Sequence, residues 1–304
     1  MNATVSVVTG ATGYSGKYIT RRLLARGQRV ISLTNHPQRP HEFGSRVAMK
    51  PYNFDRPAAL VETLRGVDTL YNTYWVRFDR GETSHARAVA KTQVLFQAAK
   101  TAGVRRLVHI SIANPSLDSP LPYYHGKAVL EQSLRQSGLS YAILRPTVIF
   151  GPEDILINNI AYFLRRFPVF AVPGDGQYFI QPIFVEDLAD MAVDMGGLEG
   201  NAILDATSPE IFTFNELLQL IAARLGRRVW LMHLPPGLAL RLSQLLGLFL
   251  GDVLLTADEV RGLMANLLAS TRPPTGDTLF SLWLKENAAI LGRQYHSELV
   301  QHYL

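Results

Sequence analysis

Three glycines near the start of the chain, Gly10, Gly13 and Gly16, constrain its fold more than anything else in the sequence. They follow a short β-rich run, Thr4 to Val8, and open an amphipathic segment that carries Ile19, Leu23 and Leu24 on one face and closes at Gly27. Strand, glycine turn and helix in that order make the unit that holds a dinucleotide pyrophosphate. Glycines let the backbone turn tightly and approach the phosphates, and a helix N-terminus offers unpaired N–H groups to negative charge. Thr12, Tyr14 and Ser15 lie in the same turn and are expected to contact the cofactor with the glycines. The same spacing also serves a plain packing turn that binds nothing; its position directly after a first β-run is what points to a nucleotide.

Apolar β-rich runs then alternate with helical patterns. Strands are expected at Val5–Thr9, Arg29–Thr34, Arg46–Pro51, Thr69–Tyr74, Arg106–Ile112 and Ser140–Leu144, with helices near 14–26, 57–65, 82–102 and 124–137. Short apolar strands separated by helices predict an α/β fold: a Rossmann-type, doubly wound parallel sheet covered on both faces, with its ligand crevice at the C-terminal strand ends. The rhythm breaks near residue 150, so residues 1–150 are expected to form the NAD(P)-binding domain. Residues 151–304 are expected to form a smaller, mostly helical domain that caps the crevice and binds substrate, with 181–205 returning to the sheet.

Composition removes several classes of function. The chain of 304 residues has 47% hydrophobic and 18% charged residues, which is globular rather than disordered. Its net charge of +5 comes from scattered or paired Lys and Arg rather than a basic run, so no nucleic-acid partner is expected. With no cysteine there are no disulfides and no thiolate chemistry, and the eight histidines lack metal-site spacing, so no metal is expected. Met-Asn-Ala-Thr runs straight into the first strand, which predicts no secretory leader and a cytoplasmic protein. No charge-free apolar run reaches the ~18 residues of a spanning helix.

The candidate chemistry lies at Tyr123 and Lys127, a Y-x-x-x-K spacing just after Pro122. Four residues on a helix put both side chains on one face, about one turn apart. A neighbouring ammonium favours phenolate, so Lys127 should lower the pKa of Tyr123 and let it act as an acid or base near neutrality. Tyr124, three residues from the lysine, is the weaker partner. The spacing is common by chance, but here it follows the apolar run Leu107–Ser111 in a chain that starts with a glycine turn.

These motifs resemble the short-chain dehydrogenase/reductase superfamily in its extended or atypical branch. Three stretches carry the resemblance: Thr9–Gly16, reading TGATGYSG; Ile143–Pro152, similar to the "LRP…(Y/F)GP" segment; and Pro173–Gly176 followed by Phe184–Ala189, similar to "PGdG…VeDlA". Within the superfamily the chain looks most like the atypical group that includes the NAD(P)H-binding accessory subunit of respiratory complex I and its bacterial relatives. The resemblance implies a nicotinamide cofactor, with Pro146 and Thr147 running past the nicotinamide, Thr73 beside the cofactor, and Lys127 on the ribose. It also implies a substrate-orienting hydroxyl after the strand that ends near Ile110. The chain departs from the pattern there, because the usual position is Ala113; Ser111 is the candidate substitute, with Asn114 as another. The stretch Asn72–Trp75 replaces a small, Ala-rich segment with bulky aromatics that either line a substrate pocket or pack under a loop.

Cofactor choice is read after the second strand. An acidic residue there would accept both ribose hydroxyls and repel a 2′-phosphate, but this chain has Asn35 and then Arg39, which favours NADP(H) over NAD(H). Asn53 and Phe54 match the pair that borders the adenine. Two functions follow. The first is an NAD(P)-dependent oxidoreductase, or an epimerase/dehydratase-like enzyme, acting on a small carbonyl, alcohol or sugar-type substrate. The second is a non-catalytic NAD(P)H-binding accessory or redox-sensing protein. A second copy of the chain is a further candidate partner. The most apolar stretch, Leu238 to Leu255, is expected to pack on the cofactor domain or a sister subunit. Contact with a membrane ranks last, because interfacial helices usually present a strongly charged face and this one has a single Arg and a single Asp.

Overall fold

The computed structural model describes residues 4–302. The chain divides into two compact units: residues up to Pro146 with Val185–Asp205, and Thr147–Phe184 with the residues from Ala206 onward.

The first unit runs β1 (Val5–Thr9), α1 (Tyr14–Ala25), β2 (Arg29–Thr34), β3 (Val47–Pro51), α2 (Pro57–Leu64), β4 (Thr69–Asn72), α3 (His85–Ala102), β5 (Arg106–Ile110), α4 (Pro122–Gln136) and β6 (Ser140–Pro146). The chain then enters the second unit with β7 (Val148–Phe150), α5 (Leu156–Arg166), β8 (Val169–Pro173), β9 (Phe179–Ile180) and β10 (Pro182–Phe184). It returns to the first unit for α6 (Val185–Gly197) and β11 (Ala202–Ala206). The rest is β12 (Phe212–Thr213), α7 (Phe214–Arg224), β13 (Trp230–Leu234), α8 (Pro236–Leu250), α9 (Ala257–Met264), α10 (Phe280–Asn287) and α11 (Glu298–His302).

Seven strands form the first unit's sheet in the order β11-β6-β5-β4-β1-β2-β3. Every pairing from β3 through β6 is parallel, with Val7 facing Ile31 on one side and Leu70 on the other. Strands β4 and β5 are buried at every residue, as strands covered on both faces must be. Leu60 and Leu64 of α2, Leu95 of α3 and Leu130 of α4 pack with Val7, Leu70 and Leu107 of the sheet. The chain leaves β1 toward β3 and then crosses back to β4, so the strand order reverses between β1 and β4. Ligands of open α/β sheets bind outside the carboxyl ends at such a point.

The expected elements are present, and three of the shifted boundaries have a local cause. The fourth strand stops at Asn72 rather than Tyr74, because the N–H groups of Thr73 and Tyr74 turn to the Thr9 hydroxyl at 2.7 and 3.0 Å. The third helix starts at His85, where the Ser84 side chain accepts from the Arg87 N–H. Helix α4 starts early, with Pro122 in its first turn, where a missing N–H does no harm.

The second unit is helical with three two-stranded ladders: β7 with β10 and β8 with β13 parallel, β9 with β12 antiparallel. Its core is aromatic, with Phe150 ringed by Phe280 at 5.0 Å and Trp283 at 5.2 Å, and with Leu217 and Ile221 of α7 beside them. Helix α8, the apolar stretch, is no core helix: only Ala239 and Gly247 are buried.

Candidate functional site

The glycine turn leaves β1 through Gly10, whose φ of +69° lies in the left-handed region that suits glycine. Its N–H donates to the Leu33 carbonyl at 2.7 Å and its carbonyl accepts from Gly13 at 2.9 Å. A Cβ on Gly16 would lie 2.2 Å from the Gly10 carbonyl oxygen, so the third glycine is required by the turn itself. Gly13 differs. It is the N-cap of α1 in extended backbone that any residue can adopt, and a Cβ there would come only to 3.3 Å from Gly10. Helix α1 has no side-chain cap and no acidic residue in its first turn, so its own sequence does not neutralise its positive end. The turn is pinned from below by Ser32, which accepts from the Ala11 N–H at 3.1 Å. Thr12 is exposed and Tyr14 and Ser15 are half-buried around the turn. An uncapped helix start behind a cradle that a side chain would fill fits a pyrophosphate.

Thr73 lies against this turn, donating its hydroxyl to the Thr9 carbonyl. Asn72 ties the two strand ends together: its Oδ1 accepts from the Thr9 hydroxyl at 3.0 Å and its Nδ2 lies 3.0 Å from His109 Nδ1. His109 is fully enclosed, and burial holds its pKa well below the ordinary value, so a neutral ring accepts from Asn72.

The aromatic stretch after β4 divides between the two roles open to it. Tyr74 packs with Tyr52 and Phe54, the latter two stacked at 4.8 Å, under the turn of Asn53, whose φ is +49°. Trp75 instead joins Tyr123, at 5.5 Å, and His85, at 5.8 Å. Asn35 and Arg39 are both exposed after β2. The nearby carboxylate of Glu42 is taken by Arg21 at 2.7 Å.

Helix α4 brings Tyr123 and Lys127 to the carboxyl end of β5. Tyr123 is half-buried, with rings of Trp75, His85 and Tyr124 within 6 Å. Lys127 is 2% exposed. Its ammonium donates to the Ile110 carbonyl at 2.8 Å and lies 4.5 Å from the centre of the Trp75 ring. Loss of hydration on burial, opposed in part by Glu131, pulls its pKa from 10.5 to about 7. An ammonium has three donors, and among the described residues this one makes a single hydrogen bond, which leaves two N–H groups that could serve a ligand.

Ser111 is enclosed at the end of β5 and donates to Glu131 at 2.6 Å. Glu131 in turn holds Arg145 through its Nε at 2.9 Å and through a second bond from Nη2. Ala113 is fully buried, with its N–H on the Pro146 carbonyl at 2.9 Å. Thr147 belongs to the second unit, where its hydroxyl donates to the Gln181 carbonyl. Gly126 and Glu131 are the site residues that motif reading passes over. Gly126 was visible in principle, since a glycine inside a helix costs about 1 kcal/mol against alanine and needs a reason. The reason is Trp75: a Cβ at 126 would come within 2.9 Å of its ring.

Residues 10–155 match a family model described as NAD(P)H-binding. The chain is 26% identical over 231 residues to NADH dehydrogenase (ubiquinone) 1 alpha subcomplex subunit 9, mitochondrial, of Arabidopsis thaliana, which covers 71% of this chain and 57% of that protein. It thus spans little more than half the length of that relative. To the ceramide reductase of Caulobacter vibrioides it is 27% identical over 247 residues, 77% of this chain and 75% of the other. Among solved structures, the triphenylmethane reductase of Citrobacter sp., complexed with NADP(H), shares the fold. The TM-score is 0.76 at 19% identity, over 93% of this chain and 99% of that one.

Proposed function

We propose that this chain, which belongs to the extended, short-chain dehydrogenase/reductase-like NAD(P)-binding family, is an NADP(H)-dependent oxidoreductase that reduces a carbonyl group. The observation that carries the reading is Lys127. A lysine is buried rarely and at a cost of several kcal/mol unless it is well paired. This one has one carbonyl and an indole ring, and it sits at the carboxyl end of β5, two strands along the sheet from the one that leads into the glycine turn. Strongly shifted groups of this kind cluster at functional sites.

The residues divide the work as follows. Gly10, Gly13 and Gly16, with the start of α1, hold the pyrophosphate. Asn53 and Phe54 border the adenine, and Thr73, Pro146 and Thr147 run past the nicotinamide. Lys127 gives its remaining donors to the ribose hydroxyls and lowers the cost of phenolate at Tyr123. Tyr123 delivers the proton to the carbonyl oxygen. A bound nicotinamide would supply the hydride. The rings of Trp75 and His85 beside Tyr123 favour an apolar carbonyl compound over a sugar. Two of the named relatives are reductases, which agrees with that direction. The absence of a carboxylate at Asn35 and Arg39 supports NADP(H).

One observation favours a second reading, a protein that holds the dinucleotide without turning it over. The Ser111 hydroxyl is committed to Glu131, and Ala113 offers none. Exchange of Tyr123 separates the two. In the enzyme, Tyr123→Phe lowers turnover by about 10²-fold or more while NADPH affinity holds, as loss of a general acid does. An NADPH-consuming assay over a panel of apolar aldehydes and ketones reads this. Tight NADPH binding with no turnover of any carbonyl would favour the holding role, and unchanged rates in the variant would remove Tyr123 as the acid.

A further inference from the structure

Helix α8 departs from the usual placement of apolar side chains. Leu238, Leu242, Leu245, Leu248 and Phe249 are all exposed, Leu248 by 79% and Phe249 by 89%. At 100° per residue these five fall within one continuous stripe, so they form a face. The face is rigidly displayed. Gly247 lets the helix close onto the Asp252 carbonyl, where a Cβ would come within 2.5 Å. The Asp252 carboxylate then accepts from the Tyr295 hydroxyl at 2.6 Å and the Glu298 N–H at 2.9 Å.

The charge on the helix itself and in the cluster at the end of α5 is positive. Arg241 lies inside the apolar stripe, and α8 carries no acidic residue. Arg165, Arg166, Arg227 and Arg293 cluster at the end of α5. Among the described residues none of the four meets a carboxylate: Arg165 donates to the Leu291 carbonyl, Arg166 and Arg293 to other main-chain carbonyls, and Arg227 to the carbonyl of Arg165. Burial and the three neighbouring guanidinium groups hold Arg165 below its ordinary pKa. The cluster and the helix share one end of the second unit. Tyr295, which grips Asp252 just past α8, lies 6.2 Å from the Phe163 ring, and Phe163 lies 6.3 Å from Phe167 at the end of α5. The next residue, Pro168, accepts from the N–H of Trp230, an indole that is 81% exposed.

We propose that this face of the second unit is a peripheral membrane-binding surface, with α8 lying in the headgroup layer of a bilayer that carries anionic lipid. A helix of 15 residues is roughly 22 Å long and cannot cross a hydrocarbon core of about 30 Å. No helix among the described residues is long and apolar enough to span. Lying flat, it buries its leucines and Phe249 at the acyl boundary while Arg241 reaches up to phosphate. Trp230 has the amphipathic ring that favours the interface, and the arginine cluster supplies the cationic surface that the helix itself lacks. This proposal departs from the ranking drawn from the segment alone, because it takes the charge from α5 and the loop before β13. A second copy of the chain fits the face less well. A two-fold dimer over the stripe would bury Arg241 against its own mate or against leucine. The nearby carboxylates are already engaged, Asp252 by Tyr295 and Asp258 by Arg261.

The test is co-sedimentation of the full chain with vesicles of phosphatidylcholine alone and of phosphatidylcholine mixed with phosphatidylserine. The expected result is binding to the mixed vesicles at least about tenfold tighter than to the neutral ones, weakening as salt is added. The double variant Leu248→Ser/Phe249→Ser should lose about tenfold or more while keeping its NADPH affinity, and Arg241→Glu should lose several-fold. Trp230 fluorescence should shift to the blue on vesicle addition, and a Trp230→Phe variant should lose that shift. No sedimentation with mixed vesicles would overturn the proposal. So would equal binding by the double variant, or a concentration-dependent dimer in analytical ultracentrifugation that the double variant abolishes.

Discussion

Lys127 in the first unit and Phe249 in the second break one rule in opposite directions. The lysine is 2% exposed and the phenylalanine 89%. A folded chain that only had to be stable would reverse them, since burying a charge is costly and burying a ring is favourable. What the two share is a side chain placed where the chain alone gains nothing from it. Their surroundings differ instructively. Lys127 is enclosed at the end of a parallel strand with one carbonyl and an indole ring about it, which suits a small ligand of fixed shape. Phe249 belongs to a broad stripe with charge at its margin, which suits an extended surface. A third residue shows what an ordinary buried cation looks like. Arg106, fully enclosed, gives hydrogen bonds to the Met195 and Gly200 carbonyls and the Ser140 hydroxyl, whereas Lys127 gives one. Arg106 makes three hydrogen bonds within the fold and only its Nη2 lacks a partner among the described residues, whereas Lys127 makes a single one.

The largest test of that contrast asks whether a ligand belongs beside Lys127 at all. Gly13→Val should leave the fold intact, because the N-cap backbone there is extended, with φ −76° and ψ 169°. The branched side chain would stand where phosphate must approach the helix end. NADPH affinity, read by nicotinamide fluorescence, should fall by about 10²-fold or more, roughly 3 kcal/mol, with unchanged circular dichroism. Unchanged affinity would leave the buried lysine without a ligand and end the comparison.

The next effect measures the cost of the buried charge directly. Lys127 has its pKa lowered from 10.5 to about 7 in the folded chain. Between those values the unfolded chain holds the proton and the folded chain has released it, so stability should rise with pH across that window and level off below it. Over two pH units the gain is on the order of 2 kcal/mol. Urea unfolding at pH 7 and pH 9 should show the rise in the native chain and a much smaller one in Lys127→Met. That variant should also be at least as stable at pH 7, since it replaces an ill-paired charge by an apolar chain of similar length. A flat profile in the native chain would mean that the lysine is better satisfied than its single bond suggests.

A smaller effect concerns the edge of the same site. Asn35→Asp places a carboxylate after β2, where Glu42 is already held by Arg21. The ratio of NADPH to NADH affinity should drop several-fold, roughly 1 kcal/mol, through repulsion of the 2′-phosphate. An unchanged ratio would place recognition of that phosphate elsewhere.

How far these regions could be read from sequence follows from the range of the forces that build them. The glycine turn, the alternation of strands and helices, and the placement of Tyr123 and Lys127 four residues apart on one helix are local, so periodicity and spacing reveal them. Strand ends were legible to within a residue or two, and failed where a distant group intervened, as when Thr9 drew the Thr73 and Tyr74 N–H groups out of the β4 ladder. The tie between Ser111 and Glu131 and the indole over Lys127 join residues far apart in the chain, and no pattern announces them. The arginine cluster at the end of α5 has the same origin. Arg165 and Arg166 precede α8 by some seventy residues, so a reading confined to that helix's own sequence does not weigh them.

The smallest expected effect completes the contrast. Phe280, fully buried against Phe150, would lose about 3–5 kcal/mol on truncation to alanine, as core phenylalanines do. Phe249→Ser removes a side chain of the same kind from a position 89% exposed, so little transfer energy and no cavity are at stake. Urea unfolding in the absence of lipid should place the variant within about 0.5 kcal/mol of the native chain. A slight gain is consistent with the proposal, since an exposed ring also favours compact unfolded states. A loss of 2 kcal/mol or more would mean that the ring has a partner within the chain after all. Phe249 would then be an ordinary packing residue, and the opposition between the buried lysine and the exposed ring would reduce to the lysine alone.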